Sequence, residues 1–318
     1  MSSSNLPLVS IVFTSYNHQE YLKQALDSLI DQTYKNFEII VVDDNSTDGS
    51  QKILEKYKDH TNISLHLLEK NTGSYVKASN YGAGFAKGEY LMFAQCDDFS
   101  EPQQVEKIMQ AFFEHDNVGV VYSKSNLVDE SGHAYSNDYT GREKAFKIKC
   151  ATDAVISGNE MRSFLSFACV IPNLSAAILK KELFDKAGKL STDYLVAADW
   201  AFWLDLAERT DFYYITEALN NFRQHSTTIR SKMKIARQIE EIYAIFYKHI
   251  NTYNLERNDR QKLKTGAGAV WFWYFLENKG LWLSSFPGLL KKTFTFEKLN
   301  FYYLGAGFFK HLKEHFNK

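Results

Sequence analysis

Cysteine is scarce and charge is balanced in this 318-residue chain, and both shortages exclude functions. Cys96, Cys150 and Cys169 are odd in number, widely spaced and contain no CxxC pair. They build no disulfide framework, so a reducing cytoplasm is the expected compartment. The formal net charge is −1, so no bulk field points to nucleic acid. No uninterrupted apolar run reaches the ~20 residues that span a bilayer. Met1-Ser2-Ser3-Ser4-Asn5 carries no apolar leader. Internal repeats and low-complexity tracts are missing too. What remains is ordinary for a globular protein, 45% hydrophobic and 24% charged, and long enough for one large domain or two smaller ones. Aromatic residues, at 15%, are plentiful, and many lie late in the chain.

Compact apolar runs alternate with helical stripes. Leu8–Thr14, Phe37–Val42, Ile63–Leu67, Tyr90–Gln95 and Val118–Tyr122 read as buried strands. Between them, Tyr21, Leu22, Ala25, Leu26, Leu29 and Ile30 recur at helical spacing, as do Val105, Ile108, Met109 and Phe112. This alternation predicts βαβ units and a mostly parallel sheet covered on both faces. Residues 123–158 are polar and weakly periodic, and read as a loop or a small irregular hairpin. Ser175–Leu179 reads as a returning strand, and Ala197–Leu206 as an aromatic helix with Asp199 near its first turn.

In such sheets ligands bind beyond the carboxyl ends of the strands. Three strands end there in polar residues: Thr14, Asp43-Asp44 and Asp97-Asp98. Adjacent carboxylates repel, and a divalent cation such as Mg²⁺ or Mn²⁺ neutralises both while bridging to phosphate oxygens. The competing role for Asp97-Asp98 is to cap a helix started by Pro102. Asp199 carries the same pair of readings, helix cap or functional acid. His225, in Phe222-Arg223-Gln224-His225-Ser226, is either a structural histidine or a ligand.

The character changes after about Ser231. Ile235, Ile239, Ile242, Tyr243 and Phe246 form a helical stripe. From Gly280 onward Trp282, Phe286, Phe301, Tyr302 and Phe309 mix with Lys291, Lys292, Lys298, Lys310 and Lys313. Such a segment suits a membrane surface, or else a helical cap or a homo-oligomer contact. The expected division is therefore residues 1–230 as an α/β domain and 231–318 as a helical extension.

In order and near spacing, the chain resembles the family 2 glycosyltransferases, which have the GT-A fold. The matching pieces are Val9–Asn17, Ser28–Tyr34, Val41–Asp48, Asn71-Thr72-Gly73, Asn80-Tyr81-Gly82, Gly88-Glu89-Tyr90, Asp97-Asp98 and Ala198-Asp199-Trp200. The resemblance covers roughly the first 230 residues. It implies an inverting transfer from a nucleotide-sugar donor, with UDP favoured, to a glycan or lipid-linked glycan acceptor in bacterial cell-surface synthesis. It further implies that Asp98, helped by Asp97, holds Mn²⁺ or Mg²⁺ on the donor diphosphate. Thr14 and Asp44 would contact the nucleoside, with Asp43 close by, and Asp199 would be the general base; if Asp199 is instead a helix cap, Asp193 and Asp205 are next in line for the base. His225 lies where some GT-A enzymes place a late residue near the metal. Two departures stand out. Ser79-Asn80 replaces the common Arg-Asn, leaving the basic donor contact to Lys77, and Cys96 precedes the acid pair.

Two other functions compete. A nucleotidyltransferase usually carries a Gly-rich, basic loop after the first strand to cradle a triphosphate, whereas this chain has Ser15-Tyr16-Asn17-His18-Gln19-Glu20. A carbohydrate-binding module without catalysis leaves Asp44, Asp98 and Asp199 with no common purpose. The expected location is the cytoplasm, with peripheral contact at the inner membrane face through the extension.

Overall fold

The apolar runs become strands and the amphipathic stripes become helices. The structure, a computed structural model, describes residues 6–226, 234–277 and 286–316. Strand β1 (Val9–Ser15) is buried along all its length. Helix α1 (Gln19–Ile30) turns Leu22, Ala25, Leu26 and Leu29 into the core. Then follow β2 (Phe37–Asp43), α2 (Ser50–Leu54), β3 (Ile63–Leu67), α3 (Tyr75–Ala83) and β4 (Tyr90–Gln95). The first turn of α3 is capped by Ser74, whose Oγ accepts the Val76 N–H at 3.2 Å. Next come β5 (Phe99–Ser100), α4 (Gln104–Glu114), β6 (Val118–Val128), β7 (Ala134–Asn137), α5 (Lys144–Lys149), β8 (Ala154–Ile156) and α6 (Gly158–Leu165). The α/β part closes with β9 (Ala177–Lys180), α7 (Lys181–Lys186), α8 (Ala198–Ala207) and β10 (Asp211–Arg223). Four further helices are α9 (Ile235–Thr252), α10 (Arg257–Glu277), α11 (Phe286–Phe296) and α12 (Asn300–Phe316).

One sheet runs β3-β2-β1-β4-β9-β6-β10-β5, with β7 on β6 and β8 on β10. The pairs β2–β3, β1–β2, β1–β4 and β6–β10 are parallel. Only the returning strand β9 runs against both of its neighbours within the centre. The carboxyl ends of β1, β2 and β4 therefore meet at one edge, where ligands bind in sheets of this kind.

Two expectations need correction. Residues 123–128 are strand rather than loop, because β6 continues to Val128 alongside the bulged β10. Ser123, Ser125, Asn220 and Asn221 are buried here yet polar: Asn220 Nδ2 donates to Ser125 Oγ at 2.9 Å, and the half-buried Asn126 donates through Nδ2 to Asn221 Oδ1 at 3.0 Å. Hydrogen bonds between side chains replace the apolar pattern that marks a strand. The hairpin half of that reading stands, since β6 turns back as β7. Second, Asp97-Asp98 caps no helix, because β5 intervenes and Gln103 is the N-cap of α4.

Both sheet faces are covered. Ile11, Phe13, Leu22, Leu26, Ile108 and Met109 belong to one apolar cluster. The other joins Val12, Phe93, Trp203, Phe246, Trp271 and Leu304, so sheet and C-terminal helices share one core. Close backbone approach fixes this docking. A Cβ on Gly266 of α10 would stand 1.6 Å from the carbonyl oxygen of Ser166, just past α6, and one on Gly268 would stand 2.3 Å from that of Tyr303 in α12. Buried ions add to it: Arg162 of α6 pairs with Glu208, the C-cap of α8, and with Asp259 of α10, and His249 Nε2 of α9 lies 3.0 Å from Glu208 Oε1. The expected boundary between residues 230 and 231 lies outside the described residues, as does 280–285 with Trp282. Among the described residues no helix is long and apolar enough to cross a membrane.

Candidate active site

A cleft of about 1000 Å³ opens at the carboxyl ends of β1, β2 and β4. Its wall includes Thr14, Asp44, Asp97, Asp98 and Asp199, five of the residues singled out from sequence. The loops after β1 and β2 are tied together at its rim. Asn17, at φ 52°, accepts the Thr47 N–H on Oδ1 at 2.8 Å, and Gln19 Oε1 accepts the Gly49 N–H at 2.7 Å. Positive φ is tolerated by Asn, whose short side chain bonds locally.

The paired acids divide their work. Asp43 is fully buried and accepts from Ser46 N and Oγ, at 2.8 and 2.6 Å, and from Gln51 Nε2 at 3.0 Å. It builds the turn and does not line the cleft. Asp44 does line it, held by the Thr72 N–H at 2.7 Å and Thr72 Oγ1 at 2.9 Å. Thr14 Oγ1 lies 3.3 Å from Gln95 Oε1.

At the end of β4 the two carboxylates point apart. The Asp98 N–H turns back onto the Gln95 carbonyl at 3.3 Å. Asp98 is buried: Oδ2 accepts from Asn173 Nδ2 and Ser175 Oγ, and Oδ1 from the Arg223 N–H at 3.1 Å. Burial and the neighbouring Asp97 charge push its carboxyl up to about 8. The side chain of Asp97 is 24% exposed, and its Oδ2 lies 3.0 Å from His225 Nε2. Burial works against its charge, but the His225 hydrogen bond and the nearby His18 hold it below the usual carboxylate value. His18, Asp97 and His225 each offer a donor atom within 4.8 Å of the others. Asp97 thus groups with the two histidines, whereas Asp98, also on the cleft wall, accepts from Asn173, Ser175 and the Arg223 N–H.

Asp199 sits in the first turn of α8, where Ala197 is the N-cap and the Asp199 Oδ1 accepts the Trp200 N–H at 2.8 Å. Two expected donor contacts lie elsewhere. Asn80 is bonded through both amide atoms to the backbone of Leu190, at 2.8 and 3.1 Å, and so clamps the segment ahead of α8. Lys77 is exposed, with Nζ 3.4 Å from the Thr72 carbonyl, and is not part of the cleft wall.

Two residues at the site escaped the sequence reading. His18 lies in the loop after β1, noted there only for having neither Gly nor Lys. Arg223 is buried and multiply bonded: Nε donates to the Asp97 carbonyl at 2.8 Å, Nη1 to the Glu130 carbonyl at 2.7 Å and Nη2 to Gln24 Oε1 at 2.6 Å. Its guanidinium also stacks 4.5 Å from the Tyr21 ring centroid. It fixes the acid loop against α1. The nearest sequence signal was the polar run Phe222–Ser226, read only for its histidine.

Residues 10–169 match the family described as Glycosyl transferase family 2. An uncharacterised glycosyltransferase of Rickettsia typhi is 29% identical over 247 residues, covering 77% of this chain and 73% of that protein. S. aureus TarS, solved with UDP-GlcNAc, superposes at a TM-score of 0.69 with 19% identity, over 91% of this chain and 80% of that one. The mannosyltransferase PcManGT from Pyrobaculum calidifontis, solved with GDP-Man and Mn²⁺, superposes at 0.58 with 18% identity, over 98% and 88%. The family match spans half of the chain, from β1 past α6, and the sheet beneath it is the one these two structures share. The protein belongs to the family 2 glycosyltransferases and has the GT-A fold.

Proposed function

We propose that this glycosyltransferase moves a sugar from a UDP-sugar to a hydroxyl of a glycan or lipid-linked glycan, with inversion, in building a bacterial cell-surface glycan. One observation carries the reading: Thr14, Asp44, Asp97 and Asp199, from four separate elements, line a single cleft. UDP is the first choice because TarS was solved with UDP-GlcNAc. In the reaction the acceptor oxygen bonds to the anomeric carbon as the bond from that carbon to the diphosphate breaks. The leaving nucleoside diphosphate keeps the electron pair, and Asp199 takes the hydroxyl proton. Attack from the face opposite the leaving group inverts the anomeric centre.

The donor set of His18, Asp97 and His225, two imidazoles and a carboxylate, fits Mn²⁺ better than Mg²⁺, which takes oxygen ligands. A cation bound there would supply positive charge to the diphosphate oxygens. Asp97 and His225 hold each other in place for that role, and Arg223 keeps the Asp97 backbone from shifting.

Calorimetric titration with UDP tests the nucleoside half of the site. Asp44→Ala is expected to weaken UDP binding by about 10- to 100-fold, the worth of a hydrogen bond to a charged group. A variant that melts normally and binds UDP like wild type would remove Asp44 from the donor site.

The same proposal places the C-terminal helices at the inner face of the membrane. Phe301, Tyr302 and Phe309 on α12 are each about two-thirds exposed, and Lys313 shares their side of the helix. Aromatic rings beside lysine suit an anionic lipid surface. Replacing the three aromatics by serine is expected to abolish flotation with anionic vesicles while leaving the fold intact, since Tyr303 and Leu304 carry the core contact. A wild-type protein that does not float refutes the membrane assignment.

A further inference from the structure

The segment entering α8 is held by a carboxylate from outside the α/β part of the chain. Glu241 of α9 is 2% exposed. Its Oε2 accepts three successive N–H groups, from Leu195 at 3.2 Å, Val196 at 3.0 Å and Ala197 at 3.3 Å, and Oε1 shares the first at 3.1 Å. Ala197 is the N-cap of α8, so the carboxylate stands where the helix dipole favours an anion. Consecutive N–H groups converging on one anion form a rigid concavity. Leu195 and Val196 line the cleft, and Asp199 follows within the first turn. The upstream end of the same segment is the Leu190 backbone that Asn80 clamps. Residues 190–197 are therefore pinned at both ends, by α3 and by α9.

We infer that Glu241 is a positioning residue for catalysis: it sets the direction in which the chain enters α8, and so where the Asp199 carboxylate stands in the cleft. The inference rests on Asp199 being the base. It gives the C-terminal helices a part in the reaction that neither the match over residues 10–169 nor the membrane reading supplies. The donor side is built from β1, β2 and β4 and does not touch Glu241, so its two effects separate. A purely structural cap lowers stability and leaves the turnover of the folded enzyme alone. A positioning residue changes kcat.

The test measures kcat, donor KM, UDP affinity and melting temperature for Glu241→Ala, Glu241→Gln, Asp199→Asn and the double variant Glu241→Ala/Asp199→Asn. A misplacement of about 1 Å costs on the order of 100-fold, so Glu241→Ala is expected to lower kcat by about 10- to 100-fold with UDP affinity unchanged. Glu241→Gln keeps the shape and one acceptor oxygen, and falls between alanine and wild type. In the double variant Glu241→Ala adds no further loss, because it acts through Asp199. If the alanine variant does not fold, Glu241→Gln decides: a reduced kcat at unchanged UDP affinity supports the role, and a wild-type kcat overturns it. Full turnover in folded Glu241→Ala, or a rate loss matched by lost UDP affinity, also overturns it. Asp199→Asn at wild-type rate refutes the base assignment, whereas an inactive Asp199→Asn beside a fully active Glu241→Ala refutes the positioning role alone.

Discussion

Asp199→Asn is expected to fold, bind UDP normally and transfer sugar about 10²–10⁴-fold more slowly than wild type, the usual worth of a general base. An acceptor hydroxyl is a weak nucleophile at neutral pH, and a carboxylate beside the anomeric carbon is what removes its proton. The rival role, capping α8, makes the opposite forecast, because Asn caps as well as Asp. The structure sharpens that contrast. The residue at the N-cap is Ala197, the N–H groups of residues 195–197 are satisfied by Glu241, and the bond Asp199 accepts from the Trp200 N–H can be accepted by an Asn carbonyl. Asparagine therefore keeps that bond and loses the base. The two acids next in line from sequence are engaged elsewhere: Asp193 faces Lys248 at 3.2 Å and Asp205 faces His249 at 3.6 Å. A rate near wild type in the Asn variant would redirect attention to Glu130 in the same cleft.

Asp97→Ala is expected to remove the Mn²⁺ dependence of UDP binding and to cost on the order of 100-fold or more in transfer, since a bound cation contributes several kcal/mol of charge stabilisation. EDTA treatment of the wild type should reproduce the loss, and Mn²⁺ should restore the wild type but not the variant. Asp98→Ala has a different signature. It leaves Asn173, Ser175 and the Arg223 N–H short of an acceptor in the interior. Each such orphan costs about 1–3 kcal/mol, so this variant should show a large drop in melting temperature. Equal UDP affinity with and without EDTA, or an Asp97→Ala enzyme at full activity, would remove the cation from the mechanism.

The parallel half-sheet was legible because β1, β2 and β4 are buried on both faces and written in Val, Ile, Leu and Phe. The end of β6 was not, because Ser123, Ser125, Asn220 and Asn221 are interior yet polar, and their mutual hydrogen bonds cannot be seen from one strand alone. The acid pair was legible as a pair. Which carboxylate joins His18 and His225 was not, since that depends on a turn whose partners lie at Asn173, Ser175 and Arg223, far along the chain. Asn80 and Lys77 illustrate the converse. Their motif position suggested donor contacts, but Asn80 is committed to Leu190, 110 residues away. Glu241 offered no local signal at all, because its function is defined by three amides on another helix's approach.

A chain leaves the ribosome N-terminus first. The half-sheet of β1 to β4 can pair soon after it emerges, and the acids at its edge are then already in place. The sheet face carrying Val12, Ile40 and Phe93, however, is covered early only in part, by Val76 and Ala78 of α3, and its cluster is completed by Trp203, Phe246 and Leu304, which are made later. The Arg223 guanidinium must likewise find Gln24 across 199 residues of chain. Contacts this distant in sequence form slowly. A nascent chain stalled before α12 would expose the side of α10 that Tyr303 and Leu304 cover, and would meet chaperones and proteases as an unfinished apolar surface. Activity is therefore expected to appear late, only after α12 has been made.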